Sequence, residues 1–156
     1  RSLIDVDSPE FGKPGNLPRR IRAYCEKTGQ PVPQTEGEII RCIDESLAMK
    51  FHYSIKRLAE CTGKKYGTVH ILGGGTKSVL LCQMTANATG MTVIAGPDEA
   101  TGLGNIVVQL IAAGEIKDIK EARRVVAASC APKTYTPRDT AEWAAQYQSF
   151  VKIIEG

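Results

Sequence analysis

The chain has 156 residues, 42% hydrophobic and 24% charged, with a formal net charge of +3. These totals read as an ordinary soluble globular protein of one domain, long enough to bury a sizeable core. Acidic and basic residues are interspersed, and the densest basic spots, Arg19-Arg20 and Lys64-Lys65, are too short to argue for nucleic acid or a membrane surface as partner.

The first stretch, Arg1 to Gln34, is rich in proline and glycine. A helix fits only over Leu17 to Lys27, with Pro18 in its first turn, where a missing N–H costs little. The remainder reads as loop packed over a body, because Leu3, Ile4, Phe11 and Ile21 need cover. Thr35-Glu36-Gly37-Glu38 has capping-box spacing, which opens a long amphipathic helix. Its apolar stripe is Ile39, Ile43, Leu47, Phe51, Ile55 and Leu58, and it ends near Gly63.

Val69-His70-Ile71-Leu72 is strand-like and stops at Gly73-Gly74-Gly75. A helix pattern follows directly, with Leu80, Leu81, Met84 and Ala88 on one face. A second strand, Met91 to Ala95, comes after Gly90. Strand, glycine turn, helix and strand make a βαβ unit, which requires a parallel pair and a right-handed crossover. Glycines there allow φ > 0 and leave no Cβ in the way of a ligand. Ligands of α/β proteins lie outside the carboxyl ends of such strands. The turn is neither a full dinucleotide fingerprint nor a P-loop, so the residues alone leave a ligand turn and a tight structural turn both open.

Beyond Gly96-Pro97, a helix through Ile106, Leu110 and Ala113 stops at Gly114. Asp118 caps another through Glu121, Ala122, Val125 and Val126. Pro132 to Pro137 reads as loop, and Thr140 or Asp139 caps a last helix running to Ile154. Trp143, Tyr147 and Phe150 at helical spacing are packing residues. His52 and His70 are read as hydrogen-bonded structural histidines, and Asp98-Glu99 as complements of a helix dipole. No repeat and no internal domain boundary appears, so residues 1–156 form a single unit. Two firm strands are too few for a free-standing α/β sheet, and Arg1-Ser2-Leu3-Ile4 reads as the interior of a longer protein.

Five cysteines at irregular spacing, with no CxxC and no Cys/His metal pattern, argue against a zinc site and for a reducing, cytoplasmic compartment. No apolar run approaches the roughly 18–20 residues that span a bilayer.

A series of short motifs carries a resemblance. Ser2-Leu3-Ile4, Gly29-Gln30-Pro31-Val32-Pro33, Arg41-Cys42-Ile43 and Ser46-Leu47-Ala48 come first, then His70 to Gly75 and Leu81 to Ala86. Ala95-Gly96-Pro97-Asp98-Glu99-Ala100-Thr101 and Gly104 to Ala112 complete it. In this order the chain resembles the carboxy-terminal portion of the rhamnulokinases, within the FGGY carbohydrate kinases, from Ser2 to about Pro137. The resemblance implies part of the second actin-like (ribonuclease H-like) ATPase domain, with the amino-terminal domain upstream. It implies transfer of the γ-phosphoryl of ATP to the 1-hydroxyl of L-rhamnulose, with Mg2+; xylulose, fuculose and a non-enzymatic nucleotide-binding module are the alternatives. The catalytic aspartate, phosphate loops and most sugar contacts fall upstream of Ser2, so no catalytic residue and no metal ligand lies in this chain. The nucleotide contact falls on Gly74, in the adenosine pocket, with Gly73 and Gly75 shaping the turn. Ser78 stands where the family commonly has an asparagine near adenine. Cys25 and Cys42 match positions where rhamnulokinases can carry cysteine, which raises a bond between them against two unpaired buried thiols.

Unpaired strand edges and an uncovered apolar face invite self-association of the isolated chain. Elution at high concentration should show species larger than a monomer, together with binding of a hydrophobic dye; a strictly monomeric, dye-silent chain contradicts this expectation.

Overall fold

A computed structural model describes all 156 residues. The chain forms six α-helices and one three-stranded sheet. In chain order they are α1 (Leu17–Lys27), α2 (Glu36–Thr62), β1 (Thr68–Ile71), α3 (Val79–Thr89), β2 (Thr92–Ala95), α4 (Ala100–Ala112), α5 (Ile119–Ser129), β3 (Lys133–Tyr135) and α6 (Thr140–Glu155), with a 3-10 turn at Gly73–Lys77. No helix is long and apolar enough to cross a membrane.

The capping box at the start of α2 forms in full. Glu38 N–H donates to the Thr35 hydroxyl at 3.2 Å, and Thr35 N–H donates to the Glu38 carboxylate at 3.0 Å. The N–H groups of Thr35 and Gln34, both donating to the Glu38 carboxylate, hold its carboxyl below its ordinary value. The amino-terminal stretch packs over the body as its apolar residues require. Leu3 and Ile4 are buried. The Gln30 amide clamps Leu3 from both sides, accepting from its N–H and donating to its carbonyl, each at 2.8 Å.

The apolar stripe expected along α2 matches its buried face only at Ile39, and Ile43 and Leu47 are partly buried. The helix buries Ile39, Cys42, Glu45, Ser46, Ala48 and Met49, while Phe51 and Leu58 remain exposed. The reason is positional: Phe51 and Ile55 lie beside the outer edge of β1, where they and Val69 and Ile71 border an open apolar cleft. Helix α3 likewise departs from a one-faced pattern. Cys82 and Ala86 face the sheet with Val93, Ala95 and Tyr135, whereas Met84 and Ala88 face α2 and α6. Sandwiched between two layers, α3 turns the small Cys82 and Ala86 to the sheet and Met84 and Ala88 to the other helices, and leaves Leu80 exposed.

Strands β1 and β2 pair in parallel, with Val69 opposite Val93 and Ile71 opposite Ala95. The region Pro132–Pro137, expected as loop, contains β3, which pairs antiparallel to β2 with Ala95 opposite Lys133 and Val93 opposite Tyr135. The sheet order is β1-β2-β3, so β2 is central and β1 has an unpaired outer edge. The three-residue strand holds because Tyr135 is buried in the α3–sheet layer.

Cys25 and Cys42 are not bonded to each other; both are free, buried thiols in the cluster that joins α1 to α2. Burial and the neighbouring Cys25 push the Cys42 thiol up to about 12, which keeps it in the unreactive thiol form.

The largest cluster brings Trp143, Tyr147 and Phe150 of α6 onto Ala48 and Met49 of α2 and Met84 and Ala88 of α3. Phe150 has no exposed surface. Phe150→Ala should therefore destabilise the protein by about 3–5 kcal/mol through lost burial plus a cavity; denaturant unfolding of the variant checks this value.

Candidate nucleotide-turn site

The site is built where β1 and β2 end. Both chains leave the sheet through glycines in left-handed conformations, Gly73 at φ 74° and Gly96 at φ 129°. The two exits are tied together, because Gly73 N–H donates to the Pro97 carbonyl at 3.0 Å and Gly96 N–H donates to the Ile71 carbonyl at 2.9 Å. L side chains rarely adopt such φ values, so these two positions require glycine.

The three glycines of the turn thus have different roles. Gly73 supplies the left-handed backbone. A Cβ on Gly75 would stand 3.3 Å from Ile71 Cγ2, so Gly75 lets the turn close against the strand. Gly74 has no positive φ, and a Cβ there would meet nothing within 4 Å. Neither conformation nor packing demands glycine at Gly74; the space above it is open to a ligand.

The helix does not start directly behind the glycines. The Gly73–Lys77 3-10 turn intervenes, with the Thr76 hydroxyl donating to the Gly73 carbonyl at 2.7 Å. Ser78 then caps α3, its hydroxyl accepting from Leu81 N–H at 3.1 Å. The Ser78 side chain is held in place by this bond and keeps its own O–H as a donor.

Two adjoining clefts lie beside the turn; Leu72 borders one and Thr76 and Lys77 the other, while Gly73, Gly74, Gly75 and Ser78 line neither. One, of about 400 Å3, runs between the 3-10 turn, the Gly96–Asp98 exit and residues 129–133. Thr76, Lys77, Asp98 and Lys133 give it a polar lining. The other, of about 480 Å3, lies between the outer sheet face and the α4–α5 hairpin, where Ile94, Leu103, Val107 and Val126 make it apolar. Gly96, Pro97, Cys130 and Pro132 border both. Such a pair suits a ligand with a flat apolar part and a charged part.

The remaining candidates lie elsewhere or play other roles. His52 packs by stacking on Tyr147, ring centroids 4.1 Å apart, and its buried Nδ1 has no hydrogen-bond partner. Burial and the Lys56 charge keep its pKa below the usual value, so it is structural through contact and not through hydrogen bonding. His70 is exposed at the apolar cleft. Glu99 stands at the start of α4 without a side-chain capping bond. Sequence reasoning missed Lys133, which only the β2–β3 pairing brings to the turn; no periodic signal marks it.

Comparison with known proteins accounts for this arrangement. The chain is 43% identical over 154 residues to a rhamnulokinase of Bacteroides thetaiotaomicron, covering 99% of this chain and 32% of that protein. It is 42% identical over 156 residues to one of Enterococcus faecalis, covering 97% of this chain and 31% of the relative. It therefore spans about a third of the length of the curated relatives it matches. Among solved structures it resembles a xylulose kinase from Rhodospirillum rubrum, with a TM-score of 0.59 and 18% identity over 80% of this chain and 25% of that one. A gluconate kinase from Lactobacillus acidophilus has a TM-score of 0.57 and 22% identity over 78% of this chain and 24% of that one. These two likenesses show the fold, that of FGGY sugar kinases with their actin-like architecture. Residues 1–113 match the FGGY family of carbohydrate kinases, C-terminal domain, and the chain belongs to that family.

Proposed function

We propose that this chain is the nucleotide-side, carboxy-terminal portion of the second domain of an ATP-dependent sugar kinase that phosphorylates L-rhamnulose at its 1-hydroxyl. The observation that carries the reading is Gly74: a glycine with ordinary backbone conformation and open space above it, at the carboxyl end of a parallel strand. Rhamnulose, not xylulose or gluconate, is favoured because the relatives near 40% identity are rhamnulokinases, whereas the other sugar kinases are similar in fold.

In this reading Gly74 meets the adenosine through its backbone, Gly73 and Gly75 shape the turn, and the Ser78 hydroxyl faces the adenine end. Phosphoryl transfer depends chiefly on positioning and charge neutralisation. The chain's own part is to bind and orient the nucleotide; the sugar and the proton-accepting aspartate belong to the remainder of the kinase. No group of three or more His, Cys, Asp or Glu side chains is assembled that could hold a metal ion. Magnesium is commonly held by one or two carboxylates together with substrate phosphates, and in this reading it enters as the companion of those of ATP.

Two measurements test the proposal. The full-length gene product should release ADP from MgATP when given L-rhamnulose, with slower turnover on xylulose or fuculose, while the 156-residue chain alone should release none above background. Full-length protein without sugar-dependent turnover refutes the reading. The second separates ligand contact from scaffold. Gly74→Val in the full-length protein should weaken ATP binding at least tenfold, about 1.4 kcal/mol, and leave thermal melting and the KM for L-rhamnulose nearly unchanged. Gly73→Ala should instead destabilise by about 1–3 kcal/mol, because it forces a side chain into the left-handed region. A Gly74→Val protein that melts early yet binds ATP normally would make Gly74 a structural residue.

A further inference from the structure

We propose that Lys133 of β3 binds the phosphate-bearing end of the nucleotide, so that a segment beyond the matched family domain completes the glycine-turn site. This rests on the nucleotide reading above. The family match ends at residue 113, and α5, β3 and α6 lie after it.

Position comes first. Lys133 stands opposite Ala95, the last residue of β2, next to the Gly96 exit. The preceding Pro132 is pressed against that exit, with its Cα 3.4 Å from where a Gly96 Cβ would be. The start of β3 is thereby held against the loop that borders the nucleotide turn. Lys133 and Lys77 reach the same cleft from opposite sides, β3 and the 3-10 turn.

Charge is the second argument. Neither lysine takes part in any of the eight ion pairs of the chain, and neither does Asp98 in the same cleft. Two unpaired cations against one carboxylate leave the cleft net positive, as a polyphosphate requires. Lys133 is exposed and shares its face of β3 with buried Tyr135, which packs in one cluster with Cys82. Burial pushes the Cys82 thiol up, and the Lys133 charge pulls against that shift. Cys82 lies directly behind the turn, its thiol donating to the Gly75 carbonyl at 3.7 Å.

The rival role for this residue is an edge-strand lysine that discourages strand pairing. The two roles differ in what they do to ligands. ATP and uncharged adenosine are titrated calorimetrically into full-length wild type, Lys133→Gln and Lys133→Arg at two salt concentrations. Lys133→Gln should lose about tenfold in ATP affinity, the size of one solvent-accessible charge-assisted hydrogen bond. Its adenosine affinity should hold, and its ATP binding should depend less on salt. Lys133→Arg should retain most of the affinity. Unchanged ATP binding by a folded Lys133→Gln overturns the assignment, and so does a parallel loss of ATP and adenosine. Wild type that binds neither ligand refutes the nucleotide reading itself, which keeps the two failures apart.

Discussion

The site depends on the pair of backbone hydrogen bonds that join the two strand exits. Gly73 N–H to the Pro97 carbonyl and Gly96 N–H to the Ile71 carbonyl hold the loops after β1 and β2 as one unit. Both bonds need donors whose chains turn through the left-handed region, which only glycine does at little cost. Once that tie is made, Gly75 closes against Ile71, and Gly74 is left between them with its backbone uncovered. A ligand surface made of backbone is insensitive to side-chain rotamers and costs little ordering on binding.

The tie is only as rigid as the layers beneath it. Helix α3 follows the turn and is held on both faces, by the sheet through Cys82 and Ala86 and by the α2–α6 pair through Met84 and Ala88. Its amino terminus is fixed by the Ser78 cap. The buried aromatic face of α6, centred on Phe150, therefore supports the glycine turn through α3. A helix outside the matched family domain thus contributes to the core on which that domain's site stands.

The α4–α5 hairpin is built differently. Its own cluster is small, Val107, Ile116 and Ala122 with partly buried neighbours, and Ile106, Val108, Ile119 and Val125 stay exposed. It leaves an apolar cleft against the outer sheet face and does not seal it. The charged and apolar clefts meet at Gly96, Pro97, Cys130 and Pro132, so two segments of irregular backbone, after β2 and before β3, border both.

Much of this was legible in the residues. Local signals gave boundaries: Pro18 early in α1, the Thr35–Glu38 box opening α2, and Asp118 before α5. These rest on contacts within four residues, which a chain carries wherever it folds. The family rests instead on the resemblance that the motif series carries. Tertiary structure decided what depends on distant partners. Three adjacent glycines are identical as residues, and only the tie to Pro97 makes Gly73 left-handed while Gly74 stays free. The stripe from Phe51 to Leu58 looked like a core face, and the position of β1 left it outside. Lys133-Thr134-Tyr135, three residues between prolines, became a strand because β2 offered an open edge, and that pairing carried Lys133 to the turn. Strand pairing and convergence on a cleft are non-local, so no period or cap within the segment announces them.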